Sequence, residues 1–298
     1  MKKGMLYFEQ PTPTALSLRA EGIAVETLKP GTKALRILLL NLMPQKEQTE
    51  RDVFRVLGHS GEDIAVGLMK MAGWRFKVTP QVYMETYYRD FDIYRNAVSE
   101  AGGYAYDGLI VTGAPLEHLE FAEVRYWTQL CEIMDWARTN VRSTLYICWA
   151  TQAALFHFYG VQKQALPAKC FGVFQQQVLH PEFPLMRGLA PEFPMPGSRH
   201  TTVRETDIPQ EVSLVAVGAE SGVGIAVSAD GRDVYVTGHL EYAADTLANE
   251  YRRDLQKGLP ILPPRHYYEA DDPARDICFS WQKAAWLFYK NWLQGCKG

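Results

Sequence analysis

The chain has 298 residues, enough to bury a sizeable core as one large α/β domain or two smaller ones. Hydrophobic residues at 47% and charged residues at 22% mark a globular protein, and a net charge of -3 offers no basic field to nucleic acid or an anionic membrane. No run approaches the roughly 18 apolar residues of a membrane span, and MKKGMLYFEQPTP lacks a signal peptide's apolar core, so a cytoplasmic location is expected.

Residues 1–34 read as an irregular N-terminal segment and 35–298 as a single domain. LRILLLNLMP is a continuous apolar run of the kind a buried parallel strand shows. Gln45 to Leu57 reads as a helix with charges on one side and Val53, Val56 and Leu57 on the other, ended by Gly58. WRFKVTPQVYM suggests a second strand with its loop, YDGLIVTGAP a third, VRYWTQLCEIMDWAR a helix and TLYIC a fourth strand. Ala150 to Tyr159 continues as a helix that stops at Gly160. Such alternation predicts an α/β fold, a parallel sheet flanked by helices on both faces. GVGIAVSADGRDVYVTG has two strand-like runs around a DG turn, which predicts an antiparallel extension. Helices are expected over Asp245 to Lys257 and Ser280 to Leu293.

Of the five cysteines, Cys148 alone stands where a strand turns into a helix. Ligands gather beyond the carboxyl ends of strands in open α/β sheets, and the positive end of a following helix favours a thiolate. Position alone supports a small buried hydrophobe equally well. VYVTGHLEY adds the second half of a constellation. His239 and Glu241 are two apart on an extended segment, share a face, and can act as an imidazole oriented by a carboxylate. His200 in GSRHTTV is a further candidate base, with a plain loop residue as the simpler reading. The cysteines show no CxxC pair and the remaining histidines no ligand spacing, so neither a disulfide framework nor a metal site is expected.

With these residues in view, the chain resembles the homoserine O-acyltransferase family, whose fold is that of the class I glutamine amidotransferases. The resemblance rests on ILLLNLMPQKEQTE, LIVTGAPLEHLEF, YICWATQAALFHFYG, KCFGVF, SRHTTVR, VTGHLEY and DTLANEYRRDLQKG, in that order along nearly the whole chain. It implies a flavodoxin-like, amidotransferase-like sheet and an acyl-thioester enzyme with Cys148 as nucleophile, His239 as proton acceptor and Glu241 as its partner. It further implies substrate contacts at Lys169, Ser198 and Arg253, with Arg199 adjacent. Glu117 stands at the family position that separates acyl donors, where glutamate goes with acetyl-CoA and glycine with succinyl-CoA. A carboxylate there repels the free carboxylate of a succinyl group.

The expected activity is acetyl transfer from acetyl-CoA to L-homoserine, a step of methionine biosynthesis, with no cofactor beyond that co-substrate and a homodimeric assembly. L-serine, a step toward cysteine, is the close rival acceptor, since one methylene is worth only about 1 to 3 kcal/mol in a pocket. Succinyl-CoA is the rival donor. The same fold also serves glutamine amidotransferases and is open to a non-catalytic binding protein. The turn ICWAT lacks the Gly-x-Cys-x-Gly of glutaminase domains, which tells against an amidotransferase. The chain departs from the family at Leu240, where proline is usual, over HSGEDIAVGLMKMAGWRF, and at Gln282 and Lys283.

Overall fold

A computed structural model describes residues 4–96 and 103–297. Its first elements are β1 (Met5–Phe8), α1 (Pro13–Ala20) and β2 (Ala24–Thr27), so the stretch expected to be irregular holds a helix and two strands of the sheet. Thr12 starts α1 by accepting the Ala15 N–H at 2.9 Å, and Pro13 fills the first turn without an unsatisfied donor. β1 pairs in parallel with β2 on one side and with Ile64–Val66 on the other. Four-residue strands and an eight-residue helix are too short to raise a periodic signal, which is why this segment was not legible as structure.

β3 (Leu35–Leu40), α2 (Lys46–Gly58) and β4 (Ile64–Lys70) follow. The second strand of the parallel sheet is therefore IAVGLMK and not WRFKV. Ile64, Val66 and Leu68 of β4 are buried in the sheet, whereas Trp74 packs edge-on against Tyr126 and Phe76 against the Lys46 ammonium. The alternation of large side chains over 74–78 serves loop packing, not a ladder. α2 brings a second correction, because its charged side is not solvated: Lys46, Glu50 and Asp52 are all buried. Glu50 is satisfied there by Thr14, Tyr83 and Tyr88 hydroxyls at 2.7, 2.8 and 2.5 Å. The N-terminal helix and the tyrosines after β4 cover a face that the helix alone would leave to water.

The chain continues through α3 (Gln81–Tyr87), β5 (Arg89–Asp90), α4 (Phe91–Arg95), β6 (Tyr106–Val111), α5 (Trp127–Asn140), β7 (Val141–Ile147) and α6 (Trp149–Tyr159). Gly160 closes α6 in the left-handed region at φ 72°, as a helix-ending glycine does. Then come β8 (Gln164–Val178), β9 (Glu192–Thr202), β10 (Val212–Gly218), β11 (Gly222–Ser228), β12 (Asp233–Val236), α7 (Thr246–Gln256) and α8 (Gln282–Gly295).

One sheet runs β2-β1-β4-β3-β6-β7-β12-β11-β10-β8-β9, with β5 alongside β4. It is parallel from β2 to β12 and antiparallel beyond. Alternate residues of β3 feed opposite cores. Ile37 and Leu39 pack with Phe54 of α2 and Phe288 and Trp292 of α8, while Leu38 and Leu40 pack with Leu130 and Ile133 of α5 and Leu155 of α6. No helix among the described residues is long and apolar enough to cross a membrane.

β12 joins the two halves, parallel to β7 and antiparallel to β11. Its carboxyl end therefore lies beside that of β7. At this exit, a Cβ on Gly238 would stand 2.6 Å from the Pro196 oxygen and 2.8 Å from Met195 Cγ. His239 donates its N–H to that same Pro196 oxygen at 2.8 Å. Gly238→Ala is expected to destabilise the protein by about 1 to 3 kcal/mol through overpacking. Thermal denaturation should show a lowered Tm, and an unchanged Tm would mean that β9 yields freely.

Candidate active site

Cys148 occupies the turn between β7 and α6 with φ 53° and ψ -114°, a backbone conformation that L residues rarely adopt. Its N–H donates to the Val236 oxygen of β12 at 2.7 Å, and its carbonyl accepts the Thr151 N–H at 3.0 Å. The Thr151 hydroxyl bonds both Tyr146 and Val236 carbonyls at 2.8 Å. Such a strained strand-to-helix turn has the geometry of a nucleophile elbow, which thrusts the side chain out at the head of a helix. Gly113, just after β6, permits the crowding: a Cβ there would lie 3.3 Å from Cys148 Cβ and 3.6 Å from the Trp149 nitrogen.

His239 and Glu241 follow the neighbouring strand β12, and both are 5% exposed, as is Cys148. Glu241 Oε1 lies 2.7 Å from His239 Nδ1, and the Cys148 side chain lies within electrostatic reach of the imidazole. With Nδ1 engaged by Glu241, Nε2 is the nitrogen left for sulfur. Tyr242 stacks on the ring at 4.1 Å between centroids and fixes its plane. Burial disfavours the imidazolium, yet Glu241 and Cys148 outweigh it and hold His239 up at about 10. Behind Glu241 lies Tyr289 of α8, whose phenol is pushed up by burial and by the neighbouring Glu241 carboxylate.

Lys169, Ser198 and Arg253 converge on a residue that sequence reasoning missed. Glu250 Oε1 accepts from Lys169 Nζ at 2.7 Å and Ser198 Oγ at 2.9 Å, and lies 3.6 Å from Arg253 Nη2. Its signal was present, since Glu250 precedes Arg253 by one helical turn in ANEYRRD. Arg199 does not join them. Its side chain is turned to the other face of β9, fully buried, and donates to the Ser221 carbonyl. His200 is exposed, and its backbone N–H donates to Glu117 Oε1 at 3.1 Å.

Lys46 is the other residue not foreseen. It opens α2 at the carboxyl edge of the sheet, donates to the Asn41 and Met43 carbonyls at 2.6 and 2.7 Å, and is pushed down to about 7 by burial. Cavities of about 320 and 490 Å³ lie elsewhere, one beside Arg138 and Asp233 and one beside Cys170 and Ser221. Among the described residues no cluster of three His, Cys, Asp or Glu side chains is arranged to hold a metal.

A family profile described as homoserine O-succinyltransferase matches residues 10–297. The chain belongs to that family. Similar relatives include proteins named homoserine O-acetyltransferase from Parabacteroides distasonis, 48% identical over 88% of this chain and 83% of that one, and from Brevibacillus brevis, 43% identical over 88% and 84%. Among solved structures, a glutamine amidotransferase from Thermotoga maritima aligns with a TM-score of 0.56 at 14% identity, over 90% of this chain and all of that one. A second, from Methylobacillus flagellatus, gives 0.54 at 13% identity over 89% and 96%. At these identities the structural likeness concerns the fold, and it bears out the amidotransferase-like α/β sheet expected from sequence.

The His239–Glu241 pair carries a pH signature. The folded value lies above the unfolded value of about 6.5, so the pair's stabilisation is complete below that pH and is lost as pH rises toward 10. Glu241→Gln removes one of the two groups that hold the imidazolium. The His239 titration midpoint, followed by NMR, should move down, and the stability lost between about pH 6.5 and 10 should shrink in denaturant titrations. An unmoved midpoint would mean that Glu241 does not govern His239.

Proposed function

We propose that the protein transfers an acetyl group from acetyl-CoA to the hydroxyl of L-homoserine through a thioester on Cys148. The observation that carries this reading is the buried Cys148–His239–Glu241 array at the shared exit of β7 and β12. The names of the relatives at 43% to 48% identity support the donor and the acceptor.

In the first half-reaction His239 accepts the thiol proton and the Cys148 sulfur attacks the acetyl carbonyl. The oxyanion develops beside the first turn of α6, where helix N–H groups lack intrahelical acceptors and the Trp149 N–H is the nearest. Collapse breaks the bond to CoA, which leaves as a thiol with the proton from His239. In the second half the homoserine hydroxyl gives its proton to His239 and attacks the thioester. Cys148 is then released and reprotonated. Glu241 keeps the ring in one tautomer and orientation throughout.

The acceptor is a zwitterion, and the charges at Glu250 suit one. Lys169 and Arg253 supply cations for the carboxylate, Glu250 an acceptor for the ammonium, and Ser198 a hydroxyl between them. Arg199 serves this group from behind, by holding β9 to the Ser221 turn. Glu117 sets the donor, its carboxylate excluding a succinyl chain. The reading needs no metal or prosthetic group, and it includes a cytoplasmic homodimer.

Incubation with acetyl-CoA alone should add one acetyl group to the intact protein, on Cys148. Cys148→Ala should abolish the adduct and lower turnover on the order of 10⁴-fold or more. Turnover that survives the substitution would point to direct attack on acetyl-CoA. For the acceptor, kcat/KM with acetyl-CoA should be higher for L-homoserine than for L-serine. A tenfold preference for serine, about 1.4 kcal/mol, would reverse that assignment and leave the acyl-enzyme intact.

A further inference from the structure

The connection from β6 to α5 carries Glu117, and most of that connection has no regular structure to hold it. Two of its carbonyl oxygens, those of Glu117 and Leu119, accept hydrogen bonds from a single ammonium, Lys163 Nζ; the first is 2.7 Å long. Lys163 stands between the end of α6 and the start of β8. Its Nζ also lies 5.3 Å from the centre of the Phe121 ring, close enough for a cation–π contact. Phe121 in turn packs against Phe156 of α6 at 4.7 Å and against Trp149, the residue after the nucleophile, at 5.9 Å. The loop is therefore fastened to the elbow by aromatic packing and to the hairpin by one lysine.

The carboxylate has its own attachment. Glu117 Oε1 accepts the His200 N–H of β9 at 3.1 Å. Gln164 pairs with Thr202 and Ala165 with Thr201, so Lys163, immediately before β8, and His200, on β9, stand at the same end of the β8–β9 pair. Backbone and side chain of Glu117 are thus both tied to the same end of this strand pair. A single hydrogen bond from His200 leaves a glutamate free to turn about it; the lysine's grip on the backbone removes that freedom.

We propose that Lys163 is a positioning residue for acyl-donor choice, which acts by holding the Glu117 loop so that its carboxylate stays where a succinyl chain would extend. The proposal rests on the reading of Glu117 as the donor-selecting group. Loss of the lysine lets the carboxylate swing aside and lowers the electrostatic penalty on a dicarboxylic donor. A lysine acting directly, by attracting the succinate carboxylate, would have the opposite sign.

The test compares kcat/KM for acetyl-CoA and succinyl-CoA in wild type, Lys163→Met, Lys163→Arg, Glu117→Gly and the Lys163→Met/Glu117→Gly double variant, all in the full chain and checked for folding by circular dichroism. Lys163→Met is expected to lower the acetyl-to-succinyl ratio about tenfold or more toward the Glu117→Gly value, with acetyl-CoA turnover changed only a few-fold. Lys163→Arg, which keeps a cation with several donors, should restore most of the ratio. In the double variant Lys163→Met should add nothing, because the group it positions is gone. If Glu117→Gly shifts the ratio and Lys163→Met does not, the lysine has no positioning role although the donor reading stands. If Glu117→Gly leaves the ratio unmoved, the donor reading fails and takes the proposal with it. A ratio that rises in Lys163→Met, or additive effects in the double variant, also overturns it.

Discussion

Cys148 holds a backbone conformation that costs an L residue on the order of 1 to 3 kcal/mol, and the surrounding structure must prevent its relaxation. The restraint comes from two strands at once. Its N–H is tied to β12, its carbonyl to the first turn of α6, and the Thr151 hydroxyl bridges the ends of β7 and β12. These ties require β12 to lie directly beside β7, and that adjacency depends on the antiparallel strands returning the chain to the middle of the sheet. The same adjacency delivers His239 and Glu241 beside the sulfur. One strained residue and the order of the strands are two descriptions of a single constraint.

Charge is managed in the same economical space. Glu241 has Tyr289 for a neighbour, and the buried Asp52 of α2 lies within electrostatic reach of it. Burial raises Asp52 to about 7, against the hydrogen bond from Gln48 and the charge of Arg55. The buried face of α2 thus belongs to the electrostatics of the site although none of its side chains reaches the sulfur.

The parallel half of the fold was legible because its strands are apolar runs followed by helices with clear ends, as LRILLLNL before α2 and TLYIC before α6 show. That Cys148, His239 and Glu241 meet was legible for a related reason: each alone had an ordinary structural reading, but all three were read at the carboxyl ends of strands of one sheet. β8 and β9 were not legible. QALPAKCFGVFQQQV mixes a proline, three consecutive glutamines and a register shift between Ala165 and Cys170, so no two-residue period survives. The burial of Lys46, Glu50 and Asp52 was hidden for another reason, since a helix pattern records which residues are polar and not which face another segment will cover. Motif matching selected Lys169, Ser198 and Arg253, but it could not reveal that all three meet on Glu250 or that Arg199 faces away.

α8 follows every other described element in the chain, yet it forms part of the wall behind the site, with Tyr289 on Glu241 and the Trp292 indole on the Ser143 hydroxyl of β7 at 3.0 Å. Translation proceeds from the amino terminus, so nucleophile, imidazole and carboxylate all leave the ribosome before this wall does. A nascent chain carries the three reactive groups with Glu241 still lacking the tyrosine hydroxyl and still open to water on that side. The order of synthesis thereby makes this wall the last part of the site's surroundings to be built.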